Sequence, residues 1–105
     1  MFEINQTWTS TGSSGGLTPV YLGGGCMDAA LYAQASTLAS TQSFAFQTAQ
    51  ESTGPWFTEG STSIGATANA SAQAVLRVTG PFLWMRPYLH SASTGTYQLR
   101  LIAVG

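Results

Sequence analysis

Apolar and polar positions alternate with period two through most of the chain, and that alternation predicts strands. The clearest stretch starts at residue 43. Phe44, Phe46 and Thr48 fall on one face of an extended segment, and Ala45, Gln47 and Ala49 on the other. Ser52-Thr53-Gly54-Pro55 breaks the run, and Trp56-Phe57 resume apolar character. Gly60 to Ala70, built from small residues, predicts a turn and a weak strand around Ile64. Ala74, Leu76 and Val78 then alternate with Val75, Arg77 and Thr79, and Gly80-Pro81 predicts the next break. Over Phe82 to His90, Trp84, Arg86 and Tyr88 oppose Leu83, Met85 and Leu89, while the internal Pro87 predicts an edge strand or a bulge. After Ser93-Thr94-Gly95, Tyr97, Leu99, Leu101 and Ala103 alternate with Gln98, Arg100 and Ile102.

The N-terminal part follows a different pattern. Phe2, Ile4 and Trp8 predict a short strand, Thr9 to Gly16 is Ser/Thr/Gly punctuation, and Leu17 to Leu22 is a brief apolar patch ended by Gly23-Gly24-Gly25. Residues 1–27 therefore read as an arm with loops and two short strands, whose apolar residues would be buried on a partner. Over 28–40, Asp28 fits a helix N-cap and Ala30, Leu31, Gln34, Ala35 and Leu38 fit helical spacing. Leu31, Ala33 and Ala35 equally alternate with Tyr32 and Gln34, and the strand reading agrees with everything downstream. Short strands separated by Gly/Pro turns give an all-β fold: a small antiparallel β-sandwich over 28–105, Greek-key or jelly-roll-like, preceded by an extended arm over 1–27.

Composition narrows the function. The chain has 105 residues, enough for one domain. Only 7% of them are charged, against about 25% in ordinary soluble domains. A net charge of −1 with three scattered arginines cannot displace many counterions, which argues against nucleic acid. No apolar run reaches the roughly 20 residues of a helical membrane span. Met1-Phe2-Glu3 does not open a signal peptide, so folding in a cytoplasm is expected. Serine and threonine replace charge on the surface, which suits a protein surrounded by other protein.

Chemistry-bearing groups are few. Glu51 and Glu59 flank the turn at Pro55, but no further acid supports a glycosidase pair. His90 precedes Ser91 and Ser93 without an acid to orient it. One His, one Cys and one Asp do not make a metal site, and Gly23-Gly24-Gly25 lacks the Lys-Ser/Thr of a phosphate loop. The single Cys26 reads as a small buried hydrophobe. No catalytic residue, cofactor or metal is expected.

The aromatic and arginine residues point instead to contacts between proteins. Trp84, Arg86 and Tyr88 share one strand face and are residue types enriched at interface hot spots. Arg77 and Arg100 occupy outward positions of their own strands and are candidates for intersubunit carboxylate contacts, and Trp8 belongs to the arm.

From residue 43 onward the order of features resembles small virion β-sandwich proteins of tailed bacteriophages. The residues concerned are Phe44-Ala45-Phe46-Gln47-Thr48-Ala49-Gln50-Glu51-Ser52 with Trp56, then Leu76-Arg77-Val78-Thr79-Gly80-Pro81-Phe82, Met85-Arg86-Pro87-Tyr88-Leu89 and the closing Thr94-Gly95-Thr96-Tyr97-Gln98-Leu99-Arg100-Leu101. Where that group often has Asp-Gly before the Trp, this chain has Ser52-Thr53-Gly54-Pro55. The resemblance implies a capsid decoration (cement) protein on the outer surface of the virion head, assembled in the host cytoplasm. Its expected partners are the major capsid protein and copies of itself, a trimer being the expected form, with no nucleic acid and no membrane. The alternative is a tail or neck accessory protein that binds carbohydrate on a host. In the decoration reading, a chain lacking residues 1–16 would fold but no longer stay on capsids.

Overall fold

The computed structural model describes residues 3–10, 14–38, 41–64, 72–90 and 95–105. They form seven strands: β1 (Glu3–Ser10), β2 (Gly15–Gly16), β3 (Val20–Leu38), β4 (Gln42–Ala49), β5 (Phe57–Ile64), β6 (Ala72–Leu89) and β7 (Gly95–Val104). All pairings are antiparallel, in the order β1-β7-β3-β6-β4-β5, with β2 attached to β6. The expected all-β sandwich is what the chain adopts.

Two long strands make one sheet into two layers. Asp28 to Leu38 of β3 lies between β7 and the first half of β6, and β1 closes that layer beyond β7. The second half of β6 pairs with Val20 and Tyr21 on one flank and with β4 on the other, and β5 follows β4. Gly60 of β5 lies across from Leu76 and Val78 of β6, so the two halves face one another. The 18 Å short dimension is what two sheets about 10 Å apart require.

The layers meet at a corner that the sequence pattern marks as a break. Register jumps between Tyr21, Cys26 and Asp28 of β3, where Leu22 to Gly25 lie against Leu83 alone. Such an excess on one strand is a bulge, and it bends the sheet. Gly80-Pro81 sits in the same corner, and the chain bends there without leaving the sheet because β3 holds β6 on both sides of it. β6 is therefore one strand where the sequence predicts two, and Gly23–Gly25 lies inside β3. The corner also resets which side chains face inward: Ala74, Leu76 and Val78 do so before it, and Met85, Pro87 and Leu89 after it.

The core joins both layers. Leu31, Ala33, Ala35, Leu99, Leu101 and Ala103 from one meet Phe44, Phe46, Ile64, Phe82, Met85 and Leu89 from the other. Leu31 and Ala33 are buried while Tyr32 and Gln34 face solvent, which settles residues 28–38 as strand. Pro87 is buried in an interior strand, contrary to an edge position. Its carbonyl accepts from the Leu17 N–H at 2.9 Å. An extended residue aims its nitrogen the same way, so the missing N–H faces a flank where β6 has only the two-residue β2 beside it.

Residues 1–27 enter the sheet three times. β1 pairs with β7 from Glu3↔Val104 to Ser10↔Tyr97, β2 pairs with β6, and β3 begins at Val20. The short strands expected there exist, but β1 is docked on its own chain. Its apolar residue Trp8 is buried in the core, and its indole Nε1 donates to the Thr18 carbonyl at 3.0 Å. Burial on a partner is not needed for it.

Candidate functional site

The outer face of the second layer carries the residues that alternation singled out. Trp84, Arg86 and Tyr88 all point outward there and are half-buried. What half-buries Arg86 comes from distant parts of the chain. Its guanidinium lies 4.5 Å from the Trp56 ring centroid and 5.5 Å from that of Tyr88, and its Nε donates to Gln47 Oε1 at 2.9 Å. Gln47 in turn donates from Nε2 to Thr58 Oγ1 at 3.4 Å. The cation is thus held between two π faces, an arrangement worth roughly 0.5–2 kcal/mol depending on desolvation. Among the described residues its partners include no carboxylate, so an Arg–Glu pair does not account for this face.

Two glycines make the cluster possible. Gly54 has φ of 93°, a conformation that side chains disfavour, and its N–H bonds the Glu51 carbonyl at 3.1 Å, closing the turn that delivers Trp56. Gly16 of β2 passes directly over Arg86, and a Cβ there would overlap the guanidinium. Gly16→Ala is accordingly expected to expel Arg86 from between the rings and to cost about 1–2 kcal/mol in urea unfolding. Adding Gly16→Ala to Arg86→Ala should cost little more, since the overlap is gone. Full additivity of the two substitutions would show that the close approach is not what fixes Arg86.

Beside this cluster, Tyr21 packs against Trp84 with centroids 5.0 Å apart and the rings tilted by 52°, and Tyr21 is 57% exposed. At the end of the sandwich where β6 turns its corner, Phe57 (61% exposed), Pro81 and Leu83 surround a shallow depression of 460 Å³ that also reaches Ala49, the β-sheet neighbour of Trp84. Large apolar groups left in water side by side are a feature of interaction surfaces. Alternation missed Tyr21, Phe57 and Leu83 because nothing local distinguishes an outward apolar residue from an inward one.

The remaining candidates lie elsewhere. Arg77 and Arg100 are on the outer face of the first layer, flanking β3: Arg77 is registered opposite Ala30 and Arg100 opposite Tyr32. They are diagonal neighbours across one strand, as their outward positions suggested. Arg100 donates from Nε to Asn5 Oδ1 of β1 at 3.0 Å. Trp8, being core, is removed from the interface set. The six residues thus divide into a core tryptophan, three on the second layer and two on the first.

The acid and histidine candidates do not converge. Glu59 accepts from Thr48 Oγ1 at 2.8 Å, Glu51 contributes its backbone to the Gly54 turn, and His90 packs edge-on against Tyr88 at 5.4 Å. Among the described residues no group of three or more His, Cys, Asp or Glu side chains could hold a metal ion. Ser91, Ser93 and the Cys26 side chain lie outside the described part of the structure.

No family model matches the sequence, and a search of curated proteins finds no match. Solved structures do share its fold. PirA superposes with a TM-score of 0.58 at 12% identity, covering 90% of each chain. The SPBc2 prophage-derived protein YomS gives 0.55 at 12% identity, covering 100% of this chain and 96% of that one. A protein of Bacillus endospore appendages, which form a novel family of disulfide-linked pili, gives 0.54 at 13% identity, covering 98% of this chain and 85% of that one. The chain is therefore an antiparallel β-sandwich of the kind seen in these three proteins, a phage-derived one among them.

Proposed function

We propose that this chain is a non-catalytic structural protein of a bacteriophage virion, a decoration protein that binds the assembled head from outside and links neighbouring major capsid proteins as a homo-oligomer. The observation that carries the reading is the apolar corner of Phe57, Pro81 and Leu83, next to Tyr21, which is exposed over the half-buried Trp84, on a chain with 7% charged residues. Such a surface gains by leaving water and has little charge to repel a neighbouring copy. The prophage origin of one protein with the same fold supports it. Stabilisation would follow from linkage, because a protein that binds only the assembled lattice shifts the equilibrium toward that lattice.

Co-sedimentation with empty heads tests the proposal. The wild type is expected to pellet with heads, and the Phe57→Asp/Leu83→Asp variant to lose affinity at least about tenfold. Both side chains are already exposed, so the unfolding midpoint should barely move. A wild type that stays in the supernatant, or a double variant that pellets equally well, would overturn the reading. The second reading, a tail or neck accessory protein that binds carbohydrate, is favoured by a separate feature of the first layer, the surroundings of Tyr32.

A further inference from the structure

The outer face of the first layer has a groove that opens over the small side chain of Ala30. Ala30 of β3 is registered between Ile102 of β7 and Arg77 of β6. Two larger side chains flank a small one, and a depression of 720 Å³ results, within the roughly 300–1,000 Å³ range of small-molecule sites. Along β3, Tyr32 stands at one end of the groove and Asp28 at the other, and Glu59 reaches in from β5. Tyr32 is 40% exposed. Among the described residues neither the Asp28 carboxylate nor the Arg77 guanidinium has a side-chain partner within the chain. A second depression lies on the far side of Tyr32, walled by Gln34, Gln98 and Arg100.

We infer that this groove binds a neutral oligosaccharide, with Tyr32 as the platform between two sugar subsites. Three properties select that ligand class. Charge is mixed: in the groove Asp28 and Glu59 are offset by Arg77, so a free ion there meets a like charge, and the second depression holds only the single charge of Arg100. Hydrogen-bonding capacity is mixed: the carboxylates only accept, the guanidiniums only donate, and the glutamine amides do both. A sugar hydroxyl, which donates and accepts at once, can bridge Asp28 and Arg77, whereas an apolar ligand would leave both without partners. The exposed tyrosine supplies an amphipathic ring against which the C–H face of a pyranose can pack. From Asp28 to Gln34 the face runs roughly 20 Å along β3, long enough for several linked sugars.

This groove shares only Glu59 with the depression at the Phe57–Leu83 corner, and the inference deepens the second reading without depending on the first. An array of neutral oligosaccharides, with hits titrated by heteronuclear NMR, tests it on the intact chain. At least one neutral glycan should bind and shift the amides of Asp28, Tyr32 and Arg77. Tyr32→Ala should weaken that glycan about tenfold, while Phe57→Asp/Leu83→Asp should leave its affinity unchanged. A blank array overturns the inference, as does equal binding of sulfated heparin oligosaccharides or an affinity insensitive to Tyr32→Ala. Light scattering supplies the remaining arm: if Tyr32→Ala turns an oligomer into a monomer, the face is occupied by a second copy and the sugar site is refuted. Any of these failures leaves the capsid result standing, because the two substitution sets do not share a residue.

Discussion

Removing residues 1–16 is expected to destabilise the domain itself by at least about 3–5 kcal/mol, the usual cost of taking a large aromatic out of a core. The segment carries Trp8, whose ring packs with the core cluster and whose indole nitrogen is bonded to the Thr18 carbonyl. It also carries all of β1, so its loss leaves β7 as an unpaired edge from Tyr97 to Val104. An exposed edge invites pairing with other chains, so aggregation should accompany the loss of stability. Against a total stability of about 5–15 kcal/mol, the truncated chain should unfold at much lower urea or not fold at all. Trp8→Ala in the full chain separates the side-chain share from the ladder share. An unchanged midpoint for the truncated chain would mean that β1 is a detachable arm after all, and loss of capsid binding could then be assigned to the arm. With the expected outcome, capsid-binding experiments on the truncated chain report on folding and not on docking.

Phe46→Ala is the second large effect, with an expected cost of about 3–5 kcal/mol. Phe46 is fully buried, and its ring lies 5.2 Å from that of Phe82 at an interplanar angle of 53°. Phe82 is the inward residue at the corner where β6 changes layers, so this pair ties β4 to the bend. Truncating Phe46 removes a buried ring and leaves a cavity beside the corner, where the bulged backbone of β3 is poorly placed to collapse into it. Calorimetry or urea unfolding should show the loss. A conservative Phe46→Leu should recover much of it by refilling volume. If Phe46→Ala cost under about 1 kcal/mol, the corner would be free to repack, contrary to dense packing at that point.

Much of the fold was legible in local pattern. Wherever one face of a strand is buried and the other wet, alternation reports it: Leu31, Ala33 and Ala35 against Tyr32 and Gln34, or Leu99 and Leu101 against Gln98 and Arg100. The face of Trp84, Arg86 and Tyr88 was readable for the same reason. Gly80-Pro81 and Gly23-Gly24-Gly25 misled, because glycine and proline announce a change of direction without saying whether the chain leaves the sheet or bends within it. That choice belongs to the flanking strands, which hold β6 on both sides of the corner.

The sites were less accessible to sequence. Arg86 is secured by Gly16, Gln47 and Trp56, which arrive from three other segments, and no spacing rule joins them. Asp28, Tyr32 and Arg77 share a groove only because β3 and β6 pair in one register, and Arg100 reaches the far side of Tyr32 only because β7 takes the other flank of β3. By itself the sequence determined that the protein would be all-β and sparing in charge, since these follow from composition and nearest-neighbour periodicity. Only the tertiary structure decided that Trp8 is core, that the corner is a bend, and that two separate surfaces face outward. Those outcomes depend on strand order and register, which are set by contacts between residues far apart in the chain.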